Sequence, residues 1–329
     1  MKKLAVVLGA ALIVSLAGCA SNAGPAPTGG STAGGTAAAE VTSINVGVIP
    51  TADAATVYVA LDQGYFADEG LQVNTQVMQN AAAIVPGVMN GQVQFGSAAI
   101  PPVISAVAQG LPLKIVANGG DVPEDRDADP SAVVVKAGSD ITSAKDLSGK
   151  TIAVNALQAM GELVTRQAID NAGGDASTTT FVAMAFPDMA NAVERGDVDA
   201  AFVVEPFLST AVAAGLKPIA RTYHDALIPG ESDAIYFTSE QFIQQAPGTV
   251  AAFTRALNRA AEASTADPQL IRDALVKYGN IDPSVAAKIY LPGYSAGVPT
   301  DAIQKFLDVM VQQGFLTNNV PSASDLVYQ

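Results

Sequence analysis

The sequence predicts an α/β protein of two lobes, each built as a mostly parallel sheet flanked by helices. One stretch of the chain recurs 105 positions later without a gap, and strand-like and helix-like segments alternate through residues 44–221. Residues after 239 read as helices alone. Because alternating strands and helices form parallel sheets covered on both faces, these three observations predict two lobes of one plan and a helical C-terminal segment.

The repeat extends over whole strands and helices. The same offset aligns residues 44–49 with 149–154 and residues 54–67 with 159–172. This extent favours a duplicated lobe over chance similarity in a chain rich in Ala, Val and Gly. A gap between two such lobes is where a small molecule can be held. The residues that recur in the central stretch are Val88, Gly91, Val93, Pro101, Ala106, Val107, Ala108, Gly110 and Leu111.

The N-terminus has the layout of a secretory signal. Lys2 and Lys3 precede an apolar run at residues 4–16, and small residues follow directly. A charged start, a short apolar segment and small residues before the cleavage point are typical of signal peptides, so residues 1–18 are predicted to be one. Residues 20–40 are mainly Gly, Ala, Ser, Thr and Pro, which predicts a flexible tether over residues 19–43.

The sequence contains one cysteine, Cys19, directly after Leu16-Ala17-Gly18. This arrangement resembles the bacterial lipobox, and the resemblance implies that Cys19 carries a lipid anchor; an ordinary signal peptide with an incidental cysteine is the alternative. A single cysteine excludes an intramolecular disulfide. The net charge of −14 argues against binding to nucleic acid or to anionic lipid.

Lobe one is predicted over residues 44–122 and 232–329, and lobe two over residues 128–224. Charged or irregular segments at residues 119–131 and 222–234 are predicted as the two hinge crossings. The strands of lobe one are predicted at residues 44–49, 71–77, 94–98, 113–117 and 234–238, with helices at 55–66, 82–90 and 102–109. The strands of lobe two are predicted at residues 131–136, 150–154, 180–184, 200–204 and 217–221, with helices at 160–171, 189–194 and 207–214.

The C-terminal segment is predicted to contain helices at residues 248–265, 269–278, 284–290 and 300–313. Val250, Phe253, Leu257 and Ala261 share one face of the first of these helices. We expect this face to pack against lobe one as a brace.

Ligands of an open parallel sheet bind at the carboxyl ends of the strands, where helix N-termini offer free N–H groups. Six loops meet this description and form three pairs under the 105-residue offset: residues 50–55, 79–83, 97–101, 155–161, 185–189 and 205–207. Several of their polar residues could instead only cap helices. Tyr58, one turn into its helix, could reach the cleft or pack in the core. The predicted ligand-binding residues are Thr51, Asp53, Tyr58, Asn80, Ser97, Asn155, Gln158, Asp188 and Glu205.

The six loops contain three acids and no Lys or Arg. Carboxylates are satisfied by donors, so we expect an organic solute with at least one hydrogen-bond donor rather than a naked anion. Arg126 lies in the first crossing and is interpreted as a solvated linker charge that could swing toward the cleft. His224, the one histidine, lies in the second crossing and is interpreted as hinge-packed or solvated. The sequence shows no phosphate loop, metal cluster or nucleophile–base pair, so no cofactor, metal or enzymatic activity is expected.

Three segments together resemble one family of transport proteins. Residues 60–71 contain Gly64-Tyr65-Phe66 followed by Glu69-Gly70-Leu71, and residues 146–154 read Asp-Leu-Ser-Gly-Lys-Thr-Ile-Ala-Val. Residues 195–201 form a Gly-Asp-Val-Asp motif that is followed by Glu205-Pro206-Phe207. In combination these segments resemble the substrate-binding proteins of nitrate/sulfonate/taurine-type ABC importers, whose wider family includes binders of the thiamine pyrimidine precursor.

The resemblance covers residues 44–328 and implies a two-lobed, hinge-closing type II periplasmic-binding-protein fold. It implies an extracytoplasmic, lipid-anchored monomer that delivers a sulfonate-like, taurine-like or nitrogen-containing solute to an ABC permease and ATPase complex. A pyrimidine or aromatic-acid solute, a surface receptor without transport, and an enzyme of related fold are the alternatives. In the family, the loop after the first strand, the helix start near Ser97 and the Glu205-Pro206 region border the ligand. The basic cleft residue of some sulfonate and nitrate binders has no clear counterpart here.

Overall fold

The computed structural model of the protein describes residues 42–226, 230–298 and 300–328. The predicted signal peptide and Cys19 lie outside these residues. Within the described ranges, no helix combines the length and the apolar character that crossing a bilayer requires.

Two five-stranded sheets organise the described chain. The first sheet has the order β2-β1-β3-β10-β4 and the second has the order β7-β6-β8-β5-β9. In the first sheet the strands are β1 (Ser43–Val48), β2 (Gln72–Val77), β3 (Phe95–Ala99), β4 (Leu113–Asp121) and β10 (Ser232–Ser239). In the second sheet they are β5 (Ser131–Val135), β6 (Thr151–Val154), β7 (Thr180–Ala183), β8 (Ala200–Val204) and β9 (Lys217–Ala220).

Each sheet contains one strand that follows a crossing between the lobes, β10 in the first sheet and β5 in the second. β1 pairs in parallel with β2 and β3, whereas β10 is antiparallel to both β3 and β4. In the second sheet β6 pairs in parallel with β7 and β8, and β5 is antiparallel to β8 and β9. The predicted parallel arrangement therefore holds for the strand–helix units. The antiparallel strand of each sheet is the one that arrives after a crossing, so both sheets are mixed.

Helices cover both sheets. Those that pack on the first sheet or on each other beside it are α1 (Thr56–Asp62), α2 (Tyr65–Asp68), α3 (Ala81–Met89), α4 (Ile100–Ala108), α9 (Glu240–Gln245), α10 (Pro247–Ala266), α11 (Gln269–Gly279), α12 (Pro283–Ala286), α13 (Thr300–Gln312) and α14 (Ala323–Leu326). Those of the second sheet are α5 (Met160–Asn171), α6 (Phe186–Arg195), α7 (Phe207–Ala213) and α8 (Thr222–Ala226).

The duplication is visible in the structure. The predicted offset of 105 carries β3 onto β8, from Phe95–Ala99 to Ala200–Val204, and places α3 over α6. The two sheets also share one strand order, with the crossing strand inserted at the same place. The repeat therefore predicted the architecture correctly.

Several predicted boundaries differ from those observed. The single helix predicted at residues 55–66 is interrupted at Gly64, whose φ of 74° places it in the left-handed region, and the chain restarts as α2. A non-glycine residue would be strained in this conformation. β4 continues to Asp121 rather than ending at residue 117, and α8 forms inside the segment predicted to be irregular. The predicted helix at residues 284–290 is reduced to α12.

The C-terminal brace packs as predicted. Val250, Phe253 and Leu257 of α10 are buried against lobe one. The ring of Phe253 stacks on that of Phe95 in β3, with ring centroids 3.8 Å apart, and on that of Phe66 at 5.4 Å. Stacked rings add to the apolar area that the helix removes from water, so α10 fixes the outer face of the first sheet.

Candidate functional site

The two lobes meet at the carboxyl edges of their strands. The amide of Ala52, after β1, donates to the main-chain oxygen of Glu205, after β8, at 3.0 Å. The side-chain amide of Asn80 donates to the main-chain oxygen of Asn155 at 3.5 Å, while its own oxygen caps α3 by accepting from Ala83. Apolar side chains of both lobes also belong to one continuous core cluster. Four of the six predicted loops therefore face each other across a crevice, which is closed at these contacts.

A cavity of about 360 Å³ lies in this crevice. Its wall includes an aromatic pair, Phe186 at the start of α6 and Phe207 at the start of α7, whose rings stack with centroids 5.2 Å apart. Asp188 in the first turn of α6 is the charged residue among those that line it. The volume and the flat aromatic wall suit a small organic ring. The other lining residues are Ile49, Pro50, Val77, Met78, Gln79, Ala185 and Pro187.

A second cavity of about 300 Å³ lies between α3 and α4 of lobe one and residues 156–159 of lobe two. Its lining is mainly apolar and includes Val85, Pro86 and Leu157. The predicted residue Gln158 lies here with a φ of 53°. Its main-chain amide donates to the carboxylate of Glu162 at 2.8 Å. Gln158 and Asp188 therefore line different cavities.

Glu205 is buried and its carboxylate has several partners. It accepts from the hydroxyl of Ser209 at 2.7 Å and from the amide of the same residue at 3.0 Å. It also accepts from the amide of Tyr290, in the C-terminal segment of lobe one, at 3.0 Å. Burial raises the pKa of Glu205, and these hydrogen bonds oppose that rise. The structure thus gives Glu205 the role of tying lobe two to lobe one.

The side chains of Asp53 and Asp233 both lie close to the backbone of Gly120. A Cβ placed on Gly120 would lie 3.0 Å from the Cβ of Asp53 and 3.1 Å from the Oδ1 of Asp233. Asp233 is 2% exposed, and its Oδ1 has no hydrogen-bond partner among the described residues. Burial raises the pKa of Asp233 well above its usual value, and the nearby Asp53 raises it further. Burial likewise raises the pKa of Asp53.

Two further acids lie near this pair, but both have hydrogen-bond partners. Asp121 accepts from the side-chain amide of Asn118 at 2.8 Å. Asp129 accepts from the amide and the hydroxyl of Ser131, each at 2.8 Å, and from the amide of His224. Burial raises the pKa of each carboxyl, while these donors lower it. Both acids therefore have structural partners in the segments next to the predicted crossings.

Of the remaining predicted site residues, one lies in a crevice loop and two are packed inside lobe one. Thr51 is buried within the crevice loop of residues 50–55, and its hydroxyl donates to the main-chain oxygen of Ile49. Ser97 is buried within β3, where its backbone pairs with Tyr236 of β10. Tyr58 lies in the core of lobe one, where its ring stacks on that of Tyr278 with centroids 4.5 Å apart. We therefore leave Tyr58 out of the candidate site.

Arg126 and His224 each contact an acid near the predicted crossings. The guanidinium of Arg126 makes two hydrogen bonds, of 2.8 and 2.9 Å, with the carboxylate of Asp225. The amide of His224 donates to Asp129 at 2.8 Å, which places the histidine at the hinge.

Sequence reasoning did not select Asp233 or the pair of Phe186 and Phe207 as site residues. One signal for Asp233 was present, because each crossing strand has an acid at its start. Asp129 precedes β5 by two residues, and Asp233 is the second residue of β10. For Phe186 and Phe207 the signal was their place at the starts of two helices that the 105-residue offset had already assigned to the crevice.

Two lobes joined by two crossings, with a crevice at the carboxyl edges of their sheets, define a periplasmic-binding-protein fold. The alkanesulfonate-binding protein of Xanthomonas axonopodis pv. citri, solved with bound MOPS, shares this fold with a TM-score of 0.75 and 18% identity. The match covers 88% of this chain and 99% of that protein.

Residues 51–271 match the family described as NMT1/THI5 like, and the chain belongs to this family. A formylaminopyrimidine-binding protein of Halalkalibacterium halodurans is 24% identical over 264 residues, covering 78% of this chain and 73% of that protein. A 4-amino-5-hydroxymethyl-2-methylpyrimidine phosphate synthase of Candida albicans is 24% identical over 241 residues, covering 70% and 68%. The chain is thus related both to solute-binding proteins and to an enzyme.

Proposed function

We propose that this protein is the extracytoplasmic solute-binding component of an ABC importer. In this proposal a small organic solute binds between the lobes, the lobes close around it, and the closed form docks on a permease and ATPase complex. The cavity of about 360 Å³ between the lobes carries the proposal, because loops from both sheets line it. A ligand that contacts both lobes stabilises the closed arrangement by its differential affinity for it.

The lining of the crevice favours a nitrogen-containing ring over a sulfonate. The stacked rings of Phe186 and Phe207 offer an apolar face, and Asp188 offers a hydrogen-bond acceptor. A sulfonate would be repelled by Asp188, whereas an amino group would be attracted to it. The pyrimidine named in the Halalkalibacterium relative has the properties of such a ring, so a pyrimidine-type solute is the preferred candidate.

A thermal-shift and calorimetry screen of the full-length mature chain tests this function. The panel contains a formylaminopyrimidine, aminopyrimidines, aromatic acids, alkanesulfonates, taurine and nitrate. We expect the melting temperature to rise with a pyrimidine or another donor-bearing organic compound. Tight binding of nitrate or of a simple sulfonate, with no response to any nitrogen-containing compound, contradicts the proposed solute class. No response to any member of the panel contradicts the proposed binding function.

We further propose that the protein binds its solute without transforming it, although one relative is named as a synthase. Two features support this proposal. The sequence has one cysteine, Cys19, which we assign to lipid attachment, and one histidine, His224, whose amide is bonded to Asp129 at the hinge. Incubation with the solute identified by the screen, followed by mass spectrometry, should return that solute unchanged.

We propose that Cys19 attaches the protein to the outer face of the cell membrane through a lipid. The motif Leu16-Ala17-Gly18-Cys19 supports this assignment. Expression in a bacterium with a labelled fatty acid should label the wild-type chain but not Cys19→Ser. Isolation of the labelled chain together with a permease and an ATPase would test the importer partners at the same time.

A further inference from the structure

We propose that Asp53 and Asp233 form the part of the solute site that receives a protonated nitrogen group, such as an ammonium or an amidinium. This inference rests on the proposed function, because it assigns a second contact to the same solute. It is carried by the buried and unpartnered oxygen of Asp233 and by the position of Asp53 across the same glycine.

A buried carboxyl oxygen without a donor is costly to the fold. An unsatisfied buried polar group loses its hydrogen bonds to water without replacement, and a charged group loses more. The Oδ1 of Asp233 is one of two buried side-chain oxygens that lack a partner in the described part of the chain. A cost of this kind at an interlobe edge is consistent with an acceptor kept for a ligand.

The second carboxyl of the site is held by local hydrogen bonds of its own loop. Asp53 accepts from the neighbouring amide of Ala54 at 3.1 Å. Its loop is held from behind, because the hydroxyls of Tyr294 and Tyr236 donate to the main-chain oxygens of Ala52 and Ala54 at 2.9 and 3.0 Å. Asp53 is half-buried and belongs to the same crevice loop as Pro50, which lines the cavity.

The surroundings favour a cation in preference to any other ligand. The charged neighbours that act on Asp233 are Asp53, Asp121 and Asp129, which are all acids. The nearby Arg221 is engaged elsewhere, because it donates to the main-chain oxygen of Asp129 at 2.9 Å and lies over the ring of Tyr290. A protonated nitrogen would supply the missing positive charge and the missing donor together.

Gly120 contributes no side chain of its own beside the two carboxyls. A Cβ there would lie 3.0 Å from the Cβ of Asp53 and 3.1 Å from the Oδ1 of Asp233, closer than ordinary van der Waals contact, so a larger residue would press on both acids. Lobe two contributes Tyr223, a buried residue whose phenol interacts electrostatically with both carboxyls. In this proposal a nitrogen group bound by the two carboxyls interacts with groups of both lobes, and its binding would favour lobe closure.

Two isosteric probes test the inference on the full-length mature chain by calorimetry. Benzamidine carries an amidinium on a ring, and benzamide replaces that cation with a neutral amide of nearly the same shape. We expect benzamidine to bind more than tenfold more tightly than benzamide. We also expect Asp233→Asn and Asp53→Asn each to weaken benzamidine binding more than tenfold. Asp308→Asn, which removes one exposed acid of α13, is the matched control and should leave the affinity unchanged.

A cooperative melt of each variant shows that it has folded. Equal affinity for the two probes, no benzamidine binding at millimolar concentration, or full binding by Asp233→Asn would each overturn the inference. These outcomes are distinct from failure of the proposed function, because the solute panel reports binding in the crevice whether or not the acidic pair takes part.

Discussion

The amide of Tyr290 donates to the carboxylate of Glu205 at 3.0 Å, and this bond joins the C-terminal segment of lobe one to lobe two. The main-chain oxygen of Glu205 also accepts a hydrogen bond from the amide of Ala52 at 3.0 Å. Glu205 thus contacts two separate segments of lobe one. We interpret it as the residue that holds the lobes together in the closed arrangement.

Replacing Glu205 with Ala should loosen the contact between the lobes. The amides of Tyr290 and Ser209 would lose their buried acceptor, at a cost of about 1–3 kcal/mol. We expect a lower melting temperature, a larger radius of gyration by small-angle scattering, and weaker solute binding. Ser209→Ala is the matched control, because it removes one bond to Glu205 within lobe two. An unchanged radius of gyration for Glu205→Ala would contradict the role as an interlobe tie.

Replacing Asp233 with Asn should change how stability depends on pH. The pKa of Asp233 is raised above its usual 3.8 by burial and by the neighbouring acids Asp53, Asp121 and Asp129. The folded state therefore holds this proton more tightly than the unfolded state, and stability falls as pH rises above about 4. The buried phenol of Tyr223 also interacts electrostatically with the carboxyl of Asp233.

We therefore expect Asp233→Asn to be more stable than the wild type near neutral pH and to lose less stability as the pH rises above about 4. Urea unfolding at a series of pH values measures both effects. Parallel pH profiles for the two proteins would show that Asp233 does not carry this dependence.

Replacing Phe207 with Ala should weaken the binding of ring-shaped solutes. The substitution removes one member of the aromatic pair that forms the cavity wall. A loss of about tenfold in affinity, or 1.4 kcal/mol, is expected for a ring that stacks on this wall. Val212→Ala, at a half-exposed position of the same helix, is the control. Equal affinities for both variants would place the solute elsewhere.

Two helical glycines should respond oppositely to substitution by Ala. A Cβ on Gly161 of α5 would lie 2.5 Å from the ring of Phe202, whereas on Gly87 of α3 its nearest neighbour would be Val93 at 3.4 Å. We expect Gly161→Ala to cost about 1–3 kcal/mol through overpacking. Gly87→Ala should be neutral or stabilising, because Ala favours the helix. Chemical unfolding of both variants compares them directly, and equal stabilities would contradict the packing around Phe202.

Much of the fold followed from local pattern. The offset of 105 placed β3 and β8 correctly, because each is a short apolar strand that follows a Gly-containing turn and is followed within two residues by a proline. The apolar face of α10 was predicted for the same reason, since helical spacing brings Val250, Phe253 and Leu257 together. Boundaries were less accurate where one backbone position decided them, as at Gly64.

The candidate site was harder to predict, because its contacts join residues that are distant in sequence. The facing of Asp53 and Asp233 depends on how β10 inserts between β3 and β4. The bond from Tyr290 to Glu205 depends on where the C-terminal segment ends its path around lobe one. Sequence pattern selected Asp53 and Glu205 from their loops, but it gave no sign that one would face an acid and the other would tie two lobes.

The late position of β10 in the chain sets an order for the assembly of the first sheet. The first sheet has a gap between β3 and β4 until residues 232–239 arrive, so the first half of the chain cannot close its own sheet. During synthesis the facing edges of β3 and β4 would stay unpaired until most of the polypeptide had emerged. A fragment that stops before β10 should therefore aggregate rather than form a separate domain.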